Sequence, residues 1–338
     1  MQLNRIIEHL CAGKDLDRRQ TGQLFGRLME GAYDTTQIAA LLVAFKAKGE
    51  TSEEIAGAAG AMREAATPFE RPSEIFADTC GTGGDGAHTV NISTAVAFVA
   101  AACGLPIAKH GNRSVSSRCG SADVLEACGV NLATTPALAR ECLEQANVCF
   151  LFAPRYHSGV KHAMPARHAL GTRTMFNLLG PLINPAAPPV QVMGVYDPAL
   201  CVPLAHTLGM LGCSDAMVVH GSGLDEVAIH DVTTAALYRD GGVSSLTIVP
   251  EEAGLDRFPL ESLKGGEPDE NAAWLQKLLA GDGVPAHVSA VALNTGVLLY
   301  TSRIADTIAR GTEMAIEALN EGRPARNLAR LVEVSNAG

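Results

Sequence analysis

Asp78-Thr79-Cys80-Gly81-Thr82-Gly83-Gly84-Asp85-Gly86 follows a short apolar run that begins at Ile75. Several glycines let a backbone approach a ligand closely, and consecutive N–H groups can form a nest for an anion. Outward from this loop the same texture recurs. Ile75–Thr79, Leu105–Lys109, Val148–Phe152, Val190–Tyr196 and Met217–His220 read as strands. Ala95–Cys103, Val124–Cys128, Pro136–Ala146 and Leu200–Leu211 read as helices between them. Such alternation predicts an α/β fold with a mainly parallel central sheet flanked by helices.

On either side of this alternation the pattern is helical. The expected division is a small all-helical N-terminal domain over residues 1–70 and a larger α/β domain over 74–338. Asp34 with Gln37, and Thr51 with Glu54, have the spacing of capping boxes. Ile38 to Lys48 carries apolar residues at helical spacing and stops at Gly49. Thr67-Pro68-Phe69-Glu70-Arg71-Pro72-Ser73 breaks the pattern and reads as a hinge. Arg155 to Pro189 holds five prolines from Pro165 on, and helices from about 160–185 within it are expected to return the chain to the helical domain. From Asp269 the chain is helical again, most clearly over Ala286–Leu299 and Asp306–Leu319.

Composition narrows the function classes. A chain of 338 residues fits two domains at roughly 150 residues each. The net charge of −10 opposes a phosphate-neutralising surface, so nucleic acid is not an expected partner. No stretch reaches the ~18 uninterrupted apolar residues of a membrane span. Met1-Gln2-Leu3-Asn4-Arg5 lacks a secretory pattern, and the nine cysteines include no Cys-x-x-Cys. They read as reduced thiols of a cytoplasmic protein, without zinc-ligand spacing.

Gly81, Gly83 and Gly86 match G-x-G-x-x-G, yet no Asp or Glu follows Asp85 until Asp123. A dinucleotide site needs an acid about 20 residues on, and no Gly-Lys-Ser/Thr completes a Walker loop. Instead, Gly86 to Ala122 is free of carboxylates and rich in donors: Lys109, Arg113 and Arg118, the amides of Asn91 and Asn112, and hydroxyls at Thr89, Ser93, Thr94, Ser114, Ser116, Ser117 and Ser121. Asn91-Ile92-Ser93-Thr94 precedes an apolar helix whose N-terminal N–H groups can hold a phosphate. Singly, these residues fit a turn, a helix cap or a solvated loop; two donor-rich loops at adjacent strand ends favour an anion site. Asp225 and Glu226 stand together in a glycine loop after Met217–His220. Adjacent carboxylates repel unless a cation is near, and Mg²⁺ typically takes one or two carboxylates plus substrate phosphate oxygens.

These motifs, with Lys109-His110-Gly111-Asn112-Arg113, Gly120-Ser121-Ala122-Asp123 and the run Arg173-Thr174-Met175-Phe176-Asn177-Leu178-Leu179-Gly180-Pro181-Leu182-Ile183-Asn184-Pro185, resemble the anthranilate phosphoribosyltransferase family, in family order and over most of the chain. The resemblance implies a nucleoside phosphorylase-like architecture, usually a homodimer, with Mg²⁺ as cofactor. It also implies transfer of the phosphoribosyl group of phosphoribosyl pyrophosphate to anthranilate in tryptophan biosynthesis. It places Gly81, Gly84, Asp85, Thr89, Asn91, Ile92, Ser93, Thr94, Lys109, Asn112, Arg113, Ser117 and Ser121 against phosphoribosyl pyrophosphate. Ser93, Asp225 and Glu226 would serve the metal. Gly81, Asn112, Arg167, His110 and His157 would meet anthranilate, the planar guanidinium of Arg167 gripping its carboxylate. No catalytic nucleophile or base is assigned. Ser158-Gly159-Val160 departs from the Pro-Ala-Met common at this place in relatives. Pyrimidine nucleoside phosphorylases, the nearest alternative, lack the Phe176–Pro181 segment and the Asp225-Glu226 pair.

Overall fold

The computed structural model describes residues 2–114 and 118–337. Its chain opens with α1 (Leu3–Cys11), α2 (Arg18–Met29), α3 (Thr35–Lys48) and α4 (Ser52–Glu64). Both expected capping boxes form, and a third, Asp17 with Gln20, starts α2. Reciprocal side-chain bonds of this kind satisfy N–H groups that a helix start leaves without partners.

After the irregular 65–76 stretch come β1 (Ala77–Gly81), α5 (Ile92–Ala102), β2 (Ile107–Gly111), α6 (Ser121–Ala127), α7 (Pro136–Ala146) and β3 (Val148–Phe152). Three short helices follow: α8 (Ala153–Tyr156), α9 (Met164–Leu170) and α10 (Phe176–Leu182). The chain returns to the sheet with β4 (Val190–Gly194), α11 (Cys201–Met210), β5 (Asp215–His220), β6 (Thr233–Arg239) and β7 (Gly242–Ile248). It ends in α12 (Pro268–Leu279), α13 (Pro285–Thr301), α14 (Ile308–Asn320) and α15 (Arg323–Ser335).

The seven strands lie in the order β3-β2-β1-β4-β5-β6-β7. The first five are parallel, and β6 and β7 add an antiparallel hairpin at one edge. Successive strand residues face opposite sides, so neighbouring positions join different cores. Val190, Val192, Met217 and Val219 pack with α5, α7 and α12–α15, while Met193, Val195, Ala216 and Val218 pack with α11 and the helical domain. The second core also takes in Ala163, Ala166, Phe176, Leu179 and Leu182, because α9 lies on α3 and α10 on α4. A short 3₁₀ turn, Ser158–His162, rests on α2. A Cβ on Gly159 would stand 2.6 Å from the Met29 carbonyl oxygen, so the contact itself selects glycine in the departing Ser158-Gly159-Val160 segment.

The chain steps from β1 outward to β3 on one side, then crosses to β4 on the other. Sheets of this kind bind ligands beyond the strand ends where the order reverses. Here that switch lies between β1 and β4, the strand ends that carry Gly81 and Gly194.

Candidate active site at the sheet's switch point

Gly81 and Gly194 face one another in register. Both are glycine because the β5 loop crosses directly above them. A Cβ on Gly81 would lie 2.0 Å from Asp225 Oδ2, and one on Gly194 1.5 Å from the Asp225 carbonyl oxygen. The acidic pair is thereby lowered onto the sheet's rim. Asp225 Oδ2 accepts from the Gly83 N–H at 2.6 Å, and Glu226 Oε1 from the Ser93 N–H at 3.2 Å. Behind them, Asn294 of α13 holds Val227 at both backbone groups, accepting from its N–H and donating to its carbonyl, each at 2.9 Å.

Lys109 enters from β2. It is 2 % exposed, and its Nζ donates to the Thr79 carbonyl at 2.6 Å and to Ser93 Oγ at 3.3 Å. The opening it uses is made by Asp78. β1 and β2 pair at Ala77 and Ile107. Beyond that register Asp78 Oδ1 accepts from the N–H groups of Thr79 at 2.8 Å and His110 at 3.4 Å. Asn184 completes the insertion, donating to Asp78 Oδ2 and to the Ala108 carbonyl, both at 2.8 Å. Burial pushes the Asp78 carboxyl above its ordinary range, opposed by Lys109 and the bond from Asn184.

The loops after β1 and β5 therefore converge with strand β2 through Gly83, Glu226 and Lys109, which lies within the strand and not, as expected, at its end. Asp225 and Glu226 are partly exposed. Desolvation drives both carboxyls well up, and repulsion adds to it, from Asp85 on Asp225 and from Asp225 on Glu226. A cation would relieve that repulsion. Among the described residues no three His, Cys, Asp or Glu side chains form a metal cluster. Two carboxylates beside the Ser93 hydroxyl nonetheless suit Mg²⁺, which takes its remaining oxygens from water and phosphate.

The other residues expected against phosphate make bonds of their own. Gly84 receives a hydrogen bond on its carbonyl from the Arg173 guanidinium, which itself lies 4.1 Å over the Tyr196 ring. Asp85 Oδ1 accepts from the Ala87 N–H at 3.1 Å. Thr89 bridges to Lys264, and Ser121 Oγ donates to the Asn112 carbonyl at 3.3 Å. Ile92, Ser93 and Thr94 belong to the first turn of α5, which starts three residues earlier than its apolar run suggests. Arg113 is directed elsewhere: it pairs with Asp123 at 3.0 Å and with Glu126 at 2.7 Å. Ser117 lies outside the described residues.

On the acceptor side, His110 and His157 stand 5.1 Å apart in an edge-to-face pair. Burial holds His110 down to about 3 and His157 to about 4, so both are neutral at physiological pH. His110 Nδ1 lies 3.3 Å from the Gly180 carbonyl of α10, while its buried Nε2 has no protein partner among the described residues. Arg167 projects from α9, its guanidinium 5.2 Å over the Phe176 ring at the head of α10, with no carboxylate pairing to it among the described residues. Asp78, Asn184, Arg173 and Asn294 are the supporting residues that motif reading does not single out by role.

A helical bundle set against a mainly parallel sheet, with anion donors and a carboxylate pair at its switch point, matches the glycosyl transferase family: its helical bundle domain over residues 4–66 and its a/b domain over 73–325. Among curated proteins, the anthranilate phosphoribosyltransferase of Sorangium cellulosum is 57% identical over 336 residues, 99% of this chain and 97% of that one. The solved anthranilate phosphoribosyltransferase of Thermus thermophilus superposes with a TM-score of 0.93 at 41% identity, covering 98% of this chain and 99% of that one. The Saccharomyces cerevisiae enzyme, solved in complex with PRPP and Mg, has a TM-score of 0.90 at 26% identity over 99% of this chain and 98% of its own. The chain belongs to the anthranilate phosphoribosyltransferase family.

Proposed function

We infer that this chain transfers the phosphoribosyl group of phosphoribosyl pyrophosphate to the amine of anthranilate, yielding N-(5-phosphoribosyl)anthranilate and pyrophosphate in tryptophan biosynthesis. The observation that carries the reading is one chain of bonds that joins the β1 loop, the β5 loop, the first turn of α5 and strand β2: Gly83 to Asp225, Glu226 to Ser93, and Ser93 to Lys109. Mg²⁺, with Asp225, Glu226 and the Ser93 hydroxyl as its protein ligands, would neutralise charge on the departing pyrophosphate. Lys109 adds a fixed cation where that charge develops, and the Gly81–Asp85 backbone and the first turn of α5 supply N–H donors. Thr89, Asn91, Ile92, Thr94, Asn112, Ser117 and Ser121 complete the binding of the ribose and its phosphates in this assignment. Arg113, tied to α6, positions its loop rather than the substrate.

The bond from the ribose anomeric carbon to the pyrophosphate oxygen breaks as the anthranilate nitrogen closes on that carbon. An aromatic amine carries no proton on its lone pair near neutral pH, so no strong base is required and positioning does most of the work. Arg167 takes the anthranilate carboxylate. Its part-buried guanidinium, lacking an acidic partner among the described residues, is suited to a planar anion. His110 and His157, buried and neutral, line the approach.

We assign the helical unit, residues 1–70 with 160–185, to the acceptor side and the α/β unit to the phosphate side. The enzyme works as a homodimer, whose second copy covers the groove between α2 and α4, lined by Gly22, Gly26 and Gly60. The cytoplasm is its compartment, consistent with nine cysteines that form no disulfide. No described helix is long and apolar enough to cross a membrane. The decisive assay follows anthranilate fluorescence. Its loss is expected only with phosphoribosyl pyrophosphate and Mg²⁺ both present; unchanged fluorescence under those conditions would refute the reading.

A further inference from the structure

We propose that Asn271, on α12 and outside the substrate loops, is a positioning residue that keeps the Ser93 N–H for Glu226, and so keeps the β5 loop joined to α5, by holding the Asn91 side chain away from it. The inference rests on the functional reading above. It starts from an anomaly in a helix cap. Asparagine is among the preferred N-cap residues because its side-chain oxygen accepts from the N–H of the second or third helical residue. Asn91 is the N-cap of α5, yet its side chain makes no such bond. The Ser93 N–H goes to Glu226 instead, at 3.2 Å.

The Asn91 amide is engaged on the opposite side. Its Oδ1 accepts from Asn271 Nδ2 at 2.9 Å, and its Nδ2 donates to the Cys119 carbonyl at 3.2 Å. Asn271 is 2 % exposed, and its own Oδ1 accepts from the Gly266 N–H at 2.8 Å. Both ends of the Asn271 amide are thus satisfied, which fixes its orientation: oxygen toward Gly266, nitrogen toward Asn91. Burial leaves no water to replace either bond, so the orientation is held.

The same segment grips the loop ahead of α5. The Val90 N–H donates to the Leu263 carbonyl and the Gly265 N–H to the His88 carbonyl, each at 2.8 Å. Gly266, Asn271, Asn91 and Cys119 therefore form one line of amides. It runs from the 263–266 segment, behind the donor-rich loop, to the start of the Gly120-Ser121 turn. Without the Asn271 donor, the Asn91 oxygen is free to rotate onto the first turn of α5 and cap it. The helix would gain its ordinary cap, and Glu226 would lose the Ser93 N–H that ties the acidic loop to α5.

Asn271→Asp isolates this role. Aspartate still accepts from Gly266 but presents an oxygen, not a donor, to Asn91 Oδ1. Asn271→Ala removes both bonds and serves as the second variant, assayed at low temperature where it remains folded. Steady-state kinetics with Mg²⁺ should show the KM for phosphoribosyl pyrophosphate rising about tenfold or more in both variants, with the KM for anthranilate near the parental value. Asn271→Gly, equally unable to donate, should reproduce the alanine result. A purely structural role would lower the thermal midpoint or move kcat while leaving the KM for phosphoribosyl pyrophosphate in place, and that result overturns the proposal. So does an equal rise in both KM values. A parent enzyme that consumes no anthranilate would instead overturn the functional reading itself.

Discussion

The two walls of the cleft are built on opposite plans. Among the residues assigned to phosphate, three charged groups are tied to another part of the protein: Asp225 to Gly83, Glu226 to Ser93, and Lys109 to Thr79 and Ser93. Among the residues assigned to the acceptor, the His110 Nε2 has no partner among the described residues, and the Arg167 guanidinium meets only the Met164 sulfur and the Phe176 ring there, with no carboxylate. The contrast teaches what each wall must do. A wall that stabilises charge developing in the transition state has to be fixed before substrate arrives. A wall that recognises a small carboxylate can leave a cation unpaired, because the substrate is its missing counterion.

The largest effect should come from the prebuilt wall. Lys109→Ala deletes a buried cation that no neighbour can replace, and kcat/KM should fall roughly a hundredfold to a thousandfold. Near-parental turnover in that variant would break the contrast. Arg167→Ala should raise the KM for anthranilate by roughly tenfold to a hundredfold while the KM for phosphoribosyl pyrophosphate stays put. Arg167→Lys should recover little of this, since an ammonium lacks the planar fork. If both KM values moved together, the walls would not be separable.

A smaller effect is structural. Gly81→Ala puts a methyl 2.0 Å from Asp225 Oδ2 and must displace the acidic loop. The expected cost is about 1–3 kcal/mol by thermal or urea unfolding, together with loss of activity. Full stability and activity in that variant would show that the loop does not lie on the rim.

Smallest is the pH response of the ligand-free protein. Asp225 and Glu226 have folded pKa values raised above their ordinary 3.8 and 4.5. The stability they contribute is complete below those values and is lost as pH rises through the raised ones. Asp225→Asn should therefore raise the ligand-free thermal midpoint relative to the parent at about pH 8, and raise it less at about pH 5. His110 and His157 act in the opposite sense. Depressed from 6.5 to about 3 and about 4, they contribute stability that is present above pH 6.5 and lost as pH falls toward those values. His157→Asn should flatten that acid limb; an unchanged slope would mean that the imidazole is not buried neutral.

The same contrast explains what the sequence makes legible. Five parallel strands stand out because burial on both faces makes them short apolar runs; Val148–Phe152 and Pro136–Ala146 coincide with β3 and α7 to the residue. The β6–β7 hairpin does not stand out, since β7 is largely exposed and carries Ser244, Ser245 and Thr247 in place of an apolar run. Its one clear signal is Asp240-Gly241, both at positive φ, the pair that two-residue hairpin turns favour. The three converging loops are legible because phosphate chemistry demands glycine, hydroxyl and basic residues close together in sequence. Asn184 and Asn294 are not, because their partners lie 106 and 67 residues away and only the fold shows which buried group each satisfies. The pairing of Arg113 with Glu126 is hidden for a related reason: an arginine in a donor-rich run reads as an anion ligand until α6 places a carboxylate beside it.

Direct titration of phosphoribosyl pyrophosphate into the protein by calorimetry, with Mg²⁺ and with a chelator, in the parent and in Glu226→Gln, puts the convergence of the loops to its most immediate test. Tight binding by the parent with Mg²⁺, weakened strongly by the chelator and by Glu226→Gln alike, is the expected result. Equal affinity in all of these conditions would mean that the acidic loop and the phosphate loops do not share one ligand.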